Sequence, residues 1–343
     1  MNIVNKRING FVKLGEYLSK IDLDDVKYKD LLFCLNKTFE NNKWFTIENL
    51  IYALNCWADQ LNETNINLWL KKYSINNSIS KKKVALILAG NIPIVGFHDL
   101  LCVLITGNIA VVKYSSSDPF LIPFLINKLI IFESTFKNSV EFSKERLSNF
   151  DMVIATGSNN SSRYFEYYFS KVPNLIRKNR SGVAVLNGNE FKKDLDLFAI
   201  DIVSYFGLGC RNISKVFLPI GYDLNLIFGA LYKHSSLLDS NKYANNYDYN
   251  KAVFLMSQIE FSENGFFILK EDPSYFSPVS CLNYEYYEKL ECVTKTILND
   301  SDKIQCIVSN LDFPKSISLG TTQNPKLWEY ADGKDTIDFI LNS

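Results

Sequence analysis

One cysteine of this chain sits in unlike company. Cys210 lies in YFGLGCRNISK, behind Gly207 and Gly209 and directly before Arg211. Glycines admit backbone conformations closed to other residues and let a ligand come close, and a neighbouring guanidinium favours thiolate over thiol. The other six cysteines, Cys34, Cys56, Cys102, Cys281, Cys292 and Cys306, mostly stand among leucines, valines and isoleucines and read as small buried hydrophobes. Cys210 is therefore a candidate nucleophile, with a structural thiol in a tight turn as the other reading. Asn91, in AGNIPIVGFHD, carries a carboxamide that could donate to an oxyanion or cap the helix that follows. Lys113, in VVKYSSSDP, with the hydroxyls of Ser115 and Ser116, could hold the ribose and phosphate of a nucleotide, or stand in a solvated polar turn. Gly157 and Ser158, in ATGSNNSSR, open a segment of helical spacing whose N-terminus suits a phosphate. His98, one of two histidines, could reach the same crevice as a proton donor or serve packing alone.

These residues need strand ends to carry them, and the sequence supplies candidates. KVALILAG, IAVVKY, DMVIATGS and SGVAVLNG are short apolar runs of the kind found in buried parallel strands. Between them lie helical segments, IPIVGFHDLLCVLITGN closing on Gly107-Asn108, DPFLIPFLINKLIIFES, and SSRYFEYYFSKV. Strands alternating with helices in this rhythm predict an α/β fold, a doubly wound sheet with ligand crevices beyond the strand carboxyl ends. FKKDLDLFAIDIVSYFG then leads to Cys210, and SKVFLP opens a second α/β region that includes FFILKED, SPVSCLNYEYY and KIQCIVSN. The expected organisation is a helical N-terminal region over 1–75, a cofactor domain over 76–190, a catalytic domain over 191–310 and a C-terminal segment, 311–343, that packs back or lies at an oligomer interface.

Bulk properties narrow the classes. The 343 residues are 47% hydrophobic and 22% charged, enough for a substantial core. Lys plus Arg and Asp plus Glu both total 37, so no basic surface argues for a nucleic-acid partner. The odd cysteine count without a CxxC pair points to a reducing compartment and gives no metal site. The N-terminal stretch lacks signal-peptide character, and no apolar run has the ~20 residues of a spanning helix. The expectation is a cytoplasmic protein without a transmembrane segment.

Taken in order, AGNIPIVGFHDLLCVLITGN, VVKYSS, ATGSNNSSRYFEYYF, RKNRSGVAVL, YFGLGCRNISK, NKYANNYDYNKA and SPVSCLNYEYY resemble the long-chain fatty acyl-CoA reductases (lux-type) of the aldehyde dehydrogenase superfamily. The resemblance runs from about Lys83 to the C-terminus. It implies an aldehyde-dehydrogenase-like fold, with a Rossmann-type cofactor domain and a second α/β catalytic domain. It implies Cys210 as the thiol that becomes acylated, Asn91 with the Cys210 backbone N–H as the oxyanion hole, Lys113 at the adenosine ribose, and Gly157-Ser158 beside the cofactor. Phe276, in YFSPV, matches a phenylalanine near the nicotinamide ribose, although the glutamate usual before it is replaced by Tyr275 or Ser274.

Two departures from the wider superfamily shape the expected chemistry. Its hydrolytic members place a glutamate, which activates water, where this chain has IRKNRSG and no acid. An acyl-enzyme without a base for water persists long enough to accept hydride. NAD-selective members carry a glutamate shortly after the lysine, where this chain has Ser116. Removing that carboxylate relieves repulsion against a 2′-phosphate, so NADPH is the expected cofactor and NADH a second one. The implied activity is reduction of a long-chain fatty acyl thioester to the aldehyde, with CoA released and His98 a candidate proton donor. An acyl-CoA or acyl-protein substrate, an acyl-protein synthetase subunit and a homo-oligomer (dimer or tetramer) are the implied partners. Two other classes stay open: a nicotinamide-independent cysteine acyltransferase or thioesterase, and a non-catalytic scaffold subunit of an acyl-activating complex.

Overall fold

The computed structural model describes residues 3–75, 81–143 and 147–343. The chain divides into two compact units, one of residues 1–179 with 326–343, the other of residues 180–325.

The first unit begins with four amphipathic helices, α1 (Ile3–Leu18), α2 (Lys29–Asn41), α3 (Ile47–Gln60) and α4 (Glu63–Leu70). Thr46 and Asn62 cap α3 and α4, each side chain accepting a backbone N–H three residues on. Strands and helices then alternate: β1 (Lys83–Ile87), α5 (Phe97–Thr106), β2 (Ile109–Lys113), α6 (Leu121–Phe132), β3 (Val140–Phe142), β4 (Met152–Thr156), α7 (Asn159–Tyr168) and β5 (Asn174–Arg177). The five strands pair in parallel in the order β3-β2-β1-β4-β5. The chain thus winds outward from β1 in both directions, as expected of a doubly wound sheet. Val84, Ala85 and Leu86 of β1 are fully buried, as are Leu100 and Cys102–Val103 of α5. Gly107, at φ 89°, stops α5 in the left-handed conformation that glycine adopts without strain.

In the second unit lie β6 (Ser181–Val185), α8 (Lys192–Val203), β7 (Ile213–Pro219), α9 (Leu224–Leu231), α10 (Asn241–Met256), β8 (Ser262–Glu263), β9 (Ile268–Glu271), β10 (Cys281–Tyr287), α11 (Leu290–Asn299), β11 (Ile304–Val308) and β12 (Ser316–Ile317). Their order is β12-β11-β6-β7-β10-β9-β8, parallel except for the β8–β9 pair. Here the structure departs from the sequence expectation. SGVAV does not extend the first sheet; it pairs with β7 and β11 in the second. The fifth strand of the first sheet is the short NLIR, and the unit boundary falls after Asn179 instead of near 190.

The last helix, α12 (Thr336–Asn342), returns to the first unit and packs on α5. Polar side chains anchor its approach. Trp69 Nε1 donates to Tyr330 Oη at 2.7 Å, Tyr73 Oη donates to Asp335 at 2.6 Å, and Lys72 pairs with Asp335 at 2.8 Å. No helix among the described residues is long and apolar enough to cross a membrane.

Candidate active site

In the first unit, three expected sites fall at the carboxyl ends of strands that neighbour one another. Asn91 follows β1, Lys113 ends β2 with Ser115 and Ser116 just beyond, and Gly157-Ser158 follow β4. The helix after Asn91 starts only at Phe97, with Gly96 in the capping position, so Asn91 is not its cap. Between them Ile94 takes φ 47°, a left-handed conformation costly for a β-branched residue. Its N–H donates to Asp118 Oδ2 at 3.0 Å, and the Asp118 N–H donates to the Ser115 carbonyl at 3.1 Å. Buried Asp118 thereby ties the Asn91 segment to the serine turn, a link that no local pattern in the sequence announces.

The serine turn itself is ordered by short-range bonds. Ser117 N–H donates to Ser115 Oγ at 3.1 Å, and Asn41 of α2 donates to the Ser116 carbonyl at 2.9 Å. Lys113 is exposed at its strand end. Ser158 caps α7, its Oγ accepting the Ser161 N–H at 3.2 Å. An exposed ammonium, hydroxyls and a helix N-terminus make a donor set that fits the ribose and phosphates of a nucleotide. The carboxylate among them, Asp118, is 4% exposed and its Oδ1 is buried, so it does not oppose a phosphate at the surface.

His98 has other neighbours. Its ring stands against Trp57, Trp69 and Tyr330, at centroid distances of 6.2, 5.7 and 5.3 Å. Nε2 lies 2.9 Å from the Leu327 carbonyl, which can only accept, so Nε2 holds the proton. Burial in this aromatic box pushes the imidazole down, toward the neutral form. The ring is thus engaged by the returning C-terminal segment and by aromatic packing.

Arg177 is likewise engaged. At 3% exposure it donates to both carboxylate oxygens of Asp99, at 2.6 and 3.3 Å, to Thr336 Oγ1 at 2.8 Å and to the Ala331 carbonyl at 2.5 Å. Burial alone would push the Asp99 carboxyl up, but the guanidinium holds it below its ordinary range. Lys178 pairs with Glu166, and Arg180 donates to the Ser301 and Ile304 carbonyls. Each of the three cations of RKNR thus has an acidic or carbonyl partner.

The second unit carries Cys210 and Phe276. Cys210 lies in the turn between α8 and β7, at the amino end of its strand, not the carboxyl end. It is half-buried. Cys34, Cys102 and Cys281 are buried, whereas Cys292 is exposed on α11, against the expectation of a buried thiol there. Burial pushes the Cys34 and Cys56 thiols up to about 11 and Cys281 to about 12, leaving them protonated and inert at neutral pH.

The turn before Cys210 is made of three successive left-handed residues. Tyr205 has φ 51°, Phe206 φ 59° and Gly207 φ 76°. For the two aromatic residues this conformation costs roughly 1–2 kcal/mol each. Burial of both rings, at 5% and 7% exposure, offsets that cost. Arg211 does not turn its Nε to the thiol; it donates to the Thr322 carbonyl at 2.5 Å.

Phe276 stands 69% exposed in the loop from β9 to β10. Its carbonyl accepts Asn283 Nδ2 at 2.9 Å, and the Ser274 carbonyl accepts the same amide at 3.0 Å. Ser214 of β7 donates to the Tyr275 carbonyl at 2.7 Å. Neighbouring Lys215, fully buried, bonds the Asp272 carbonyl and pairs with Glu285 at 2.9 Å. Side chains from β7 and β10 thus fix the backbone while the phenyl ring faces outward.

Comparison with known proteins agrees with this architecture. Residues 65–219 match the family model of the acyl-CoA reductases, described as acyl-CoA reductase (LuxC). The long-chain acyl-protein thioester reductase 2 of Photobacterium leiognathi is 24% identical over 202 residues, covering 53% of this chain. The match spans 41% of that relative's own length. Among solved structures, the aldehyde dehydrogenase KauB from Pseudomonas aeruginosa aligns over 90% of this chain and 73% of its own, with a TM-score of 0.63 at 12% identity. Aldehyde dehydrogenase 21 from Physcomitrella patens aligns over 90% and 74%, with a TM-score of 0.64 at 11% identity. An acetylating aldehyde dehydrogenase from Geobacillus thermoglucosidasius gives 0.58 at 11% identity, over 89% and 75% of the two chains. The fold is that of the aldehyde dehydrogenases, and the resemblance of this chain to the acyl-CoA reductase family holds.

Proposed function

We propose that this chain is a fatty acyl-thioester reductase that uses NADPH and passes the acyl group through Cys210. The observation that carries the reading is the placement of Asn91, Lys113 with Ser115 and Ser116, and Gly157-Ser158 at three adjacent strand ends of one parallel sheet. That is where a doubly wound sheet binds a nucleotide. The acyl-CoA reductase family match and the reductase name of the relative support the substrate class.

In this reading the Cys210 thiolate attacks the thioester carbonyl and expels CoA as its thiol, which takes up the proton that Cys210 gave up. The Asn91 carboxamide and the Cys210 backbone N–H stabilise the tetrahedral oxyanion. Lys113, Ser115 and Ser116 hold the adenosine end of the cofactor, Gly157-Ser158 its phosphates, and Phe276 lies at the nicotinamide ribose. When bound, NADPH supplies the hydride that reduces the thioester. The thiohemiacetal on Cys210 then collapses, releasing aldehyde and the Cys210 thiolate, which regains a proton from solvent. The sequence aligned with the water-activating glutamate, IRKNRSG, has no acid, which favours this outcome over hydrolysis.

The test is absorbance at 340 nm after a tetradecanoyl thioester of CoA is added to enzyme and cofactor. The expected result is NADPH oxidation coupled to aldehyde, with a higher kcat/KM than with NADH. Thioester consumption without nicotinamide oxidation would instead identify an acyltransferase or thioesterase.

A further inference from the structure

Resting on the reading of Cys210 as the acyl acceptor, we infer that Asn212 is the positioning residue that holds this thiol in its reactive pose. Asn212 is 3% exposed, and each end of its carboxamide is engaged. Nδ2 donates to the carbonyls of Asp201, Ile202 and Ser204, at 3.1, 3.2 and 2.8 Å. Oδ1 accepts the Gly209 N–H at 2.8 Å, and the Asn212 N–H returns to the Gly209 carbonyl at 3.0 Å. One side chain therefore spans from the last turn of α8 to the residue before Cys210.

The span matters because of what it encloses. The carbonyls at the end of a helix have no intrahelical donor and need partners from elsewhere. Between those carbonyls and Gly209 runs the left-handed sequence Tyr205-Phe206-Gly207, which persists only where its surroundings over-determine it. Removing the amide would leave three carbonyls and one N–H without their partner and free the turn to relax. The displaced group would be the thiol.

Further contacts brace the same point. The Asp201 carboxylate accepts the N–H groups of Gly320 and Thr322 at 2.6 and 3.1 Å and the Thr322 hydroxyl at 2.7 Å. Arg211 closes that ring through the Thr322 carbonyl. The Asn212 carbonyl accepts the Gly182 N–H at 3.2 Å, and a Cβ on Gly182 would lie 2.5 Å from that oxygen. The chemistry requires a short group that donates and accepts at once, which asparagine satisfies and aspartate, serine or alanine satisfies in part or not at all.

The experiment compares the full chain with Asn212→Ser and Asn212→Asp, measuring the rate of Cys210 acylation by tetradecanoyl-CoA together with kcat, KM and thermal melting. Misplacement of a reacting group by about 1 Å costs on the order of 100-fold in rate. The expected result is a folded serine variant whose acylation rate and kcat fall roughly 100-fold while KM stays within about twofold. The hydroxyl of serine retains one donor, so that variant decides the matter should the aspartate variant not fold. A folded serine variant acylated at the parental rate would overturn the inference and leave the reading of Cys210 standing. Failure of the parental chain to acylate at Cys210 would overturn the reading itself.

Discussion

At the scale of single residues, polar groups of similar appearance in the sequence turn out to have opposite surroundings. Asn91 is exposed beyond a strand end and outside any helix cap, whereas His98, seven residues on, is held in an aromatic box by a backbone carbonyl. We therefore expect Asn91→Ala to lower kcat by about 10²–10³, the usual loss on removing one oxyanion donor, with little change in melting temperature. His98→Gln should do the reverse, lowering stability and leaving kcat and its pH profile within a few-fold of the parent. Steady-state kinetics and thermal melting on the two variants check both, and a kcat loss in His98→Gln as large as that of Asn91→Ala would restore the histidine to the chemistry. The glycines and arginine around Cys210 drew attention to its turn. Neither showed that Arg211 bonds Thr322, or that Asn212 is the residue that spans the turn. An asparagine in CRNISK has no periodic neighbour to announce a role that depends on carbonyls eight to eleven residues earlier.

At the scale of elements, apolar strand runs were legible but their sheet membership was not. SGVAV reads as a buried parallel strand in either unit, since its composition records burial on both faces and not the identity of its neighbours. VEF and NLIR are too short and polar for a periodic signal, so β3 and β5 escaped notice. β5 nonetheless carries Arg177, which joins α5 through Asp99 to α12 through Thr336. Breaking such a buried pair by removing one partner costs about 3–5 kcal/mol, so Arg177→Met should unfold at markedly lower denaturant concentration. The pH dependence follows from the lowered Asp99 carboxyl: its stabilisation is present above the ordinary aspartate range and is lost as pH falls through the lower folded-state value. In Arg177→Met, with the guanidinium gone, burial raises that carboxyl above its unfolded value, so protonation now favours the folded state and the variant's deficit is largest near neutral pH and narrows as pH falls. Urea titrations across pH 3 to 7 measure both, and a variant with parental stability and the parental acid limb would contradict the assignment.

At the scale of the whole molecule, the alternation of strands and helices and the second α/β region were readable because burial and period leave a direct imprint on sequence. The return of residues 326–343 to the first unit left no such imprint. It is anchored by hydrogen bonds of Tyr330 and Asp335 and by a few buried side chains of α12, not by a long amphipathic stripe. The function proposed for the assembled chain reduces to one covalent event. Intact-protein and peptide mass spectrometry after exposure to tetradecanoyl-CoA, with and without NADPH, measures it. The expected result is a single tetradecanoyl adduct on the peptide containing Cys210, discharged as aldehyde when NADPH is added and absent in Cys210→Ala. An adduct on another cysteine, or aldehyde formation undiminished in Cys210→Ala, would contradict it.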